Sequence, residues 1–146
     1  MRVEVSVLVC RPRPEVWDEL ERIEDHVTWM RDAAAIRFTS DQTRGEGTTF
    51  ECDTRVGPVR LTDVMRVTDW QVGSTMAVAH QGTVSGTGRF TLVDAPGRAT
   101  ALHWSEDLAL PMWLGGPAGA RVAAPILRRL WRGNLERLRY RIESSP

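Results

Sequence analysis

The stretch Pro111 to Glu143 constrains the fold most. It reads PMWLGGPAGARVAAPILRRLWRGNLERLRYRIE. Apolar residues at Val122, Ile126, Leu127, Leu130, Trp131, Leu135, Leu138 and Ile142 recur at spacings of three and four, the pattern of an amphipathic helix with one buried stripe. Arg121, Arg128, Arg132 and Arg139 read as its solvent row. Gly115, Gly116 and Pro117 mark its start, because Pro suits a first helical turn. Pro125 lies inside and is expected to kink or divide it. A helix this long needs a large apolar surface to lie on, and the preceding sequence must supply it.

That sequence alternates with period two between turn signals, which predicts strands. Arg2 to Val9 puts Val3, Val5, Val7 and Val9 on one face. Pro14 opens a helix to Arg22 with Val16, Trp17, Leu20 and Ile23 inward, and Asp25 is expected to cap a short turn to Met30. Strands follow at Ala34 to Thr39, Thr48 to Val56, Val59 to Asp69, Thr75 to Gln81, Thr83 to Val93 and Arg98 to Leu108. Short turns between sequential strands give an antiparallel sheet. The expected fold is α+β: a curved antiparallel sheet of about seven strands around a long C-terminal helix, with two short helices after the first strand. Residues 1–146 read as one domain.

Composition removes several function classes. Nineteen basic residues balance 19 acidic ones, which argues against bulk nucleic-acid or anionic-membrane binding. Every basic residue is Arg, so lysine Schiff-base chemistry is excluded. His26, His80 and His103 lie on different predicted elements, without metal-ligand spacing, and no metal site or cofactor is expected. Cys10 and Cys52 read as small apolar residues rather than a disulfide framework. No apolar run reaches membrane-spanning length, so no stable membrane insertion is expected. The first residues read as a strand rather than a leader, and the expected compartment is the cytoplasm. Gly86-Thr-Gly88 lacks the third glycine of a dinucleotide loop and leads into a strand. Two glycines on one strand face are expected to admit the long helix closely or to leave room for a ligand.

The order of elements resembles the SRPBCC superfamily of START, Bet v 1 and polyketide cyclase/dehydrase-like proteins. The segments that carry the likeness are Arg11-Pro-Arg-Pro-Glu-Val-Trp17, Gly86-Thr-Gly-Arg-Phe90, Trp104-Ser-Glu-Asp-Leu108 and Leu127-Arg-Arg-Leu-Trp-Arg-Gly-Asn-Leu135. The resemblance implies the helix-grip fold and a cavity for a hydrophobic small molecule, lipid-like or aromatic polyketide-like. Trp17, Trp29, Met30, Phe38, Phe50, Met65, Met76, Phe90, Trp104, Leu110, Met112 and Trp113 are the expected apolar lining. Gly115-Gly116 offers a hinge beside it.

Three polar residues share strand faces with apolar neighbours: Asp63, His80 and Glu106. If they converge in the cavity, burial raises a carboxyl pKa and a histidine partners it for acid/base work. Three functions follow. One is a binding module for a hydrophobic small molecule. The second is a cofactor-independent cyclase/dehydratase using His80, Glu106 and Asp63. The third is an interaction protein whose interior is filled by its own side chains and whose basic helix docks a partner.

Overall fold

The structure is a computed structural model describing residues 1–146. Seven strands form one antiparallel sheet: β1 (Arg2–Val9), β2 (Ala33–Phe38), β3 (Thr49–Val56), β4 (Val59–Gln71), β5 (Thr75–Gln81), β6 (Ser85–Ala95) and β7 (Ala99–Ala109). The spatial order is β1-β7-β6-β5-β4-β3-β2. All neighbours after β2 are hairpins; only β1 pairs with a distant strand, β7. Helix α1 (Arg13–Leu20) and a 3-10 turn (Ile23–Thr28) carry the chain from the β1 edge to the β2 edge. The long helix α2 (Gly116–Glu143) follows a 3-10 turn at Met112–Leu114 and packs chiefly along β1.

Alternation places the core as expected. Val3, Val5 and Val9 of β1, Phe90 and Leu92 of β6, and Leu102, Trp104 and Leu108 of β7 are buried on the face covered by α2. Trp131, Leu135, Leu138 and Ile142 close the core from the helix side. Trp70 joins them because a bulge between Val67 and Asp69 switches the parity of β4. Its ring then meets Trp17 edge-on at 5.2 Å.

Three helical expectations need correction. Val122 and Ile126 are exposed, not buried. A row of residues four apart advances by about 40° per step on a helix of 3.6 residues per turn, so Val122 lies about 160° around the axis from Leu138. The row winds off the buried stripe and onto the outer face. Pro125 does not divide α2, which runs unbroken through it. Asp25 does not cap the short turn either. That turn starts earlier, at Ile23, and its N-cap residue is Arg22. The backbone carbonyl of Asp25 instead accepts from Thr28 Oγ1 at 2.6 Å.

Candidate functional site

The inner face of the sheet is filled at one end and open at the other. Trp29, Phe90, Trp104 and Trp131 pack ring against ring at the filled end, with Trp104 stacked on Trp131 at 5.0 Å and 26°. At the other end Ile36, Phe38, Leu61, Met65 and Val78 share the inward face yet stay partly exposed, as do Met30, Leu127 and Leu130 opposite. Together they form a partly uncovered apolar surface on β2–β5 and the middle of α2. A separate recess of about 520 Å³ lies at the start of α2, between Met1, Leu108, Leu110 and Pro117. It reaches the inner face at Gly86, the cross-strand partner of His80.

His80 and Glu106 meet where the filled and open ends join. They sit on β5 and β7, with β6 between them. Strands two apart are separated by about 9.5 Å, and an ordinary residue on the middle strand would keep the two side chains apart. The inward positions of β6 here are Gly86 and Gly88, paired with His80 and Glu106 respectively. A Cβ on Gly88 would lie 2.4 Å from Glu106 Oε2 and 2.5 Å from Oε1. The expected occupant of the glycine gap is the helix or a ligand; Gly88 instead makes room for a carboxylate. His80 Nε2 lies 2.9 Å from Glu106 Oε2, and Trp104 Nε1 donates to Glu106 Oε1 at 2.9 Å. The His80 and Glu106 side chains are only 8% and 7% exposed.

Each polar group has a definable state. Burial pushes the His80 pKa down, but the hydrogen bond to Glu106 and the charges of Glu106 and Asp63 outweigh it, so the net shift is upward. An acceptor carboxylate fixes the proton on Nε2. His80 Nδ1 makes no hydrogen bond and is not sealed from solvent, so it is the atom this cluster leaves free. Asp63 stands on β4, diagonal to His80 because Met65 is the direct cross-strand partner. Burial raises its pKa, against the bond from Thr54 Oγ1 to Oδ2 at 2.6 Å. Asp63 Oδ1 is buried with no partner. The three polar residues therefore share one face, but only His80 and Glu106 touch.

The expected apolar lining divides by position. Met30, Phe38, Met65 and Leu110 are half-buried; Phe50 and Met76 are buried beside them. Trp17, Trp29, Phe90 and Trp104 are core residues. Met112 and Trp113 stand exposed on the turn before α2. Sequence reasoning missed Asn134, which is fully buried and fastens the segment before β2 to the helix. Its Oδ1 accepts from Arg31 N at 3.1 Å, and its Nδ2 donates to Asp32 Oδ1 at 2.7 Å. Trp131 Nε1 donates to the other oxygen of Asp32 at 2.9 Å. A lone Asn inside an apolar helical stripe was the available signal.

A seven-stranded antiparallel sheet gripping a long C-terminal helix, with short helices after the first strand, defines the START-like helix-grip fold. Solved structures agree over nearly the whole chain. The Zhui aromatase/cyclase from Streptomyces sp. R1128 superposes with a TM-score of 0.77 at 18% identity, over 98% of this chain and 93% of that one. A START superfamily protein from Mycobacterium smegmatis gives 0.75 at 15% identity, over 97% of each. A protein from Thermus thermophilus gives 0.81 at 12% identity, over 99% of this chain and 100% of that one. No protein-family model and no curated protein sequence matches this chain. No helix is long and apolar enough to cross a membrane.

Proposed function

We propose that residues 1–146 act as one cytoplasmic domain that binds a largely apolar small molecule between β2–β5 and α2. The observation that carries this reading is a partly uncovered apolar inner surface, with His80 Nδ1 on the same face and free of any hydrogen bond. Leu61, Met65, Val78, Leu127 and Leu130 supply apolar area, at about 25 cal/mol per Å² covered. His80 supplies orientation, by hydrogen bonding an oxygen of the ligand. The fold shared with a START protein and an aromatase/cyclase supports a small-molecule site. The test is native mass spectrometry beside thermal shift with fatty acids, sterols and aromatic polyketides. A non-covalent adduct of a few hundred daltons, or a ligand-dependent rise in melting temperature, is expected. A bare mass with no shift for any class refutes it.

A second reading is favoured by one feature, the Glu106-held imidazole. In a cofactor-independent dehydratase, neutral His80 takes a proton at Nδ1 from the carbon beside a ligand carbonyl. The C–H electron pair becomes the enolate, which expels a β-hydroxyl as the C–O bond breaks. The imidazolium returns its proton to that hydroxyl, and water leaves. Glu106 positions the ring and stabilises the imidazolium. Turnover of a β-hydroxy ketone that bound ligands block, abolished in His80→Gln and much reduced in Glu106→Gln, would establish it. Binding without turnover leaves the first reading alone. The aromatic end is filled by the protein's own side chains, the feature that the interaction-protein reading calls for.

A further inference from the structure

Between Leu108 and Leu135 the chain carries Arg121, Arg128, Arg129 and Arg132 and no Asp or Glu, although the whole chain is neutral. None of the four is neutralised within the molecule. The ion pairs of α2 lie at its C-terminal end: Arg139 with Glu136 and Glu143, and Arg141 with Glu19. Glu4, which shares a recess with Arg132, is paired with Arg2.

The same segment exposes large apolar side chains. Met112 is 79% exposed, Trp113 69%, Val122 67% and Ile126 53%. At about 100° per residue, Val122, Ile126 and Arg129 share the outer face of α2, with Arg121 and Arg132 on its flank. Gly116 to Ile126 spans only about 15 Å. The preceding turn folds back onto it, since Met112 Sδ lies 2.7 Å from where a Gly116 Cβ would be. Apolar and cationic groups are thus collected at one end of the molecule, and burying both at once needs a surface that is anionic outside and apolar beneath.

We infer that the first half of α2, with the turn at Met112–Leu114, docks reversibly on an anionic lipid surface. Arg121, Arg129 and Arg132 meet phosphate head groups, while Trp113, Met112, Val122 and Ile126 enter the acyl boundary. Of the four apolar groups only Trp113 offers nucleobases a ring to stack on, while Met112, Val122 and Ile126 do not, which favours a lipid surface over a nucleic-acid groove. The recess beside Leu108 and Pro117 opens at the same end.

The test is co-sedimentation of the full chain with vesicles of phosphatidylcholine alone and with about one-third phosphatidylglycerol. Binding is expected only to the anionic vesicles, weakening with salt and falling about fivefold for each of Arg121, Arg129 and Arg132 changed to Gln. Trp113→Phe should abolish most of the vesicle-induced blue shift in Trp emission. Ile126→Asp should prevent sedimentation without lowering the melting temperature, because the position is exposed. Equal binding to both vesicle types, binding to neither, or an affinity unchanged by the three Gln substitutions overturns the inference. A purified acidic protein that competes the chain off anionic vesicles at a lower concentration than free lipid does would also overturn it, assigning the face to a protein partner.

Discussion

Gly88→Ala tests the architecture of the site most directly. The backbone of Gly88 is not in the left-handed region, so alanine adds no conformational strain. The added methyl carbon would lie 2.4–2.6 Å from the Glu106 carboxylate. A carbon and an oxygen need well over 3 Å, so the carboxylate must move by about 1 Å, and both of its hydrogen bonds are lost or lengthened. Hydrogen bonds to a charged group contribute about 1.5–3 kcal/mol each. Replacing a strand glycine returns about 0.5–1 kcal/mol. The net cost is about 2–5.5 kcal/mol, read from the urea midpoint at constant slope. The His80 pKa should fall in the same variant, because burial then acts without the opposing hydrogen bond. NMR titration of the ring proton reads this separately from stability. On a Glu106→Ala background the same methyl should cost close to nothing, since the group it displaces is gone. If Gly88→Ala is within about 0.5 kcal/mol of wild type and the His80 titration is unmoved, Gly88 is not what admits the carboxylate, and the account of the site fails.

Four further outcomes follow from the same physics. His26 is fully buried with Nε2 on the carbonyl of Leu20 at 2.7 Å, and burial lowers its pKa to about 4. Its folded pKa lies below the unfolded value, so the unfolded chain binds the extra proton and stability falls as pH drops from about 6.5 towards 4, by about 3 kcal/mol. His26→Gln should flatten that limb of the pH–stability curve; an unchanged limb sinks the assignment. His80 has the opposite sign. Its raised pKa gives stability that is present below about 6.5 and lost as pH rises through the folded value, so His80→Gln should remove a loss at the alkaline side. Asn134→Ala should cost about 2–4 kcal/mol in urea unfolding, because it leaves Asp32 Oδ1 and the Arg31 amide without their partners. Cys10 is exposed and Cys52 is buried with its thiol pushed up to about 11; a thiol reagent should therefore label one cysteine in the native chain and two after denaturation.

Much of the fold was legible because the sheet writes its pattern with period two and interrupts it with turn residues. β1 and β5 have the boundaries that alternation predicts, and His80, Glu106 and Asp63 fall on the inward face for the same reason. Local pattern lost its authority where several elements jointly decide a side chain's neighbours. Parity places Glu106 and His80 inward, but their contact depends on the strand order β5-β6-β7 and on which residue of β6 stands opposite each. Gly86 and Gly88 are visible in the sequence as a gap. What fills the gap, a carboxylate rather than a helix or a ligand, requires the register. The helix stripe failed for a different reason. A spacing of four holds a face over two turns and drifts off it over five, so Val122 and Ile126 satisfy the spacing locally yet stand on the outer surface. That misplacement changes the functional picture. Two residues expected in the buried stripe face outward among unpaired arginines, while Leu127 and Leu130 stay partly buried against the core. One helix thus serves two surfaces, and substitutions at Ile126 and Leu130, four residues apart, should act on docking and on ligand binding separately.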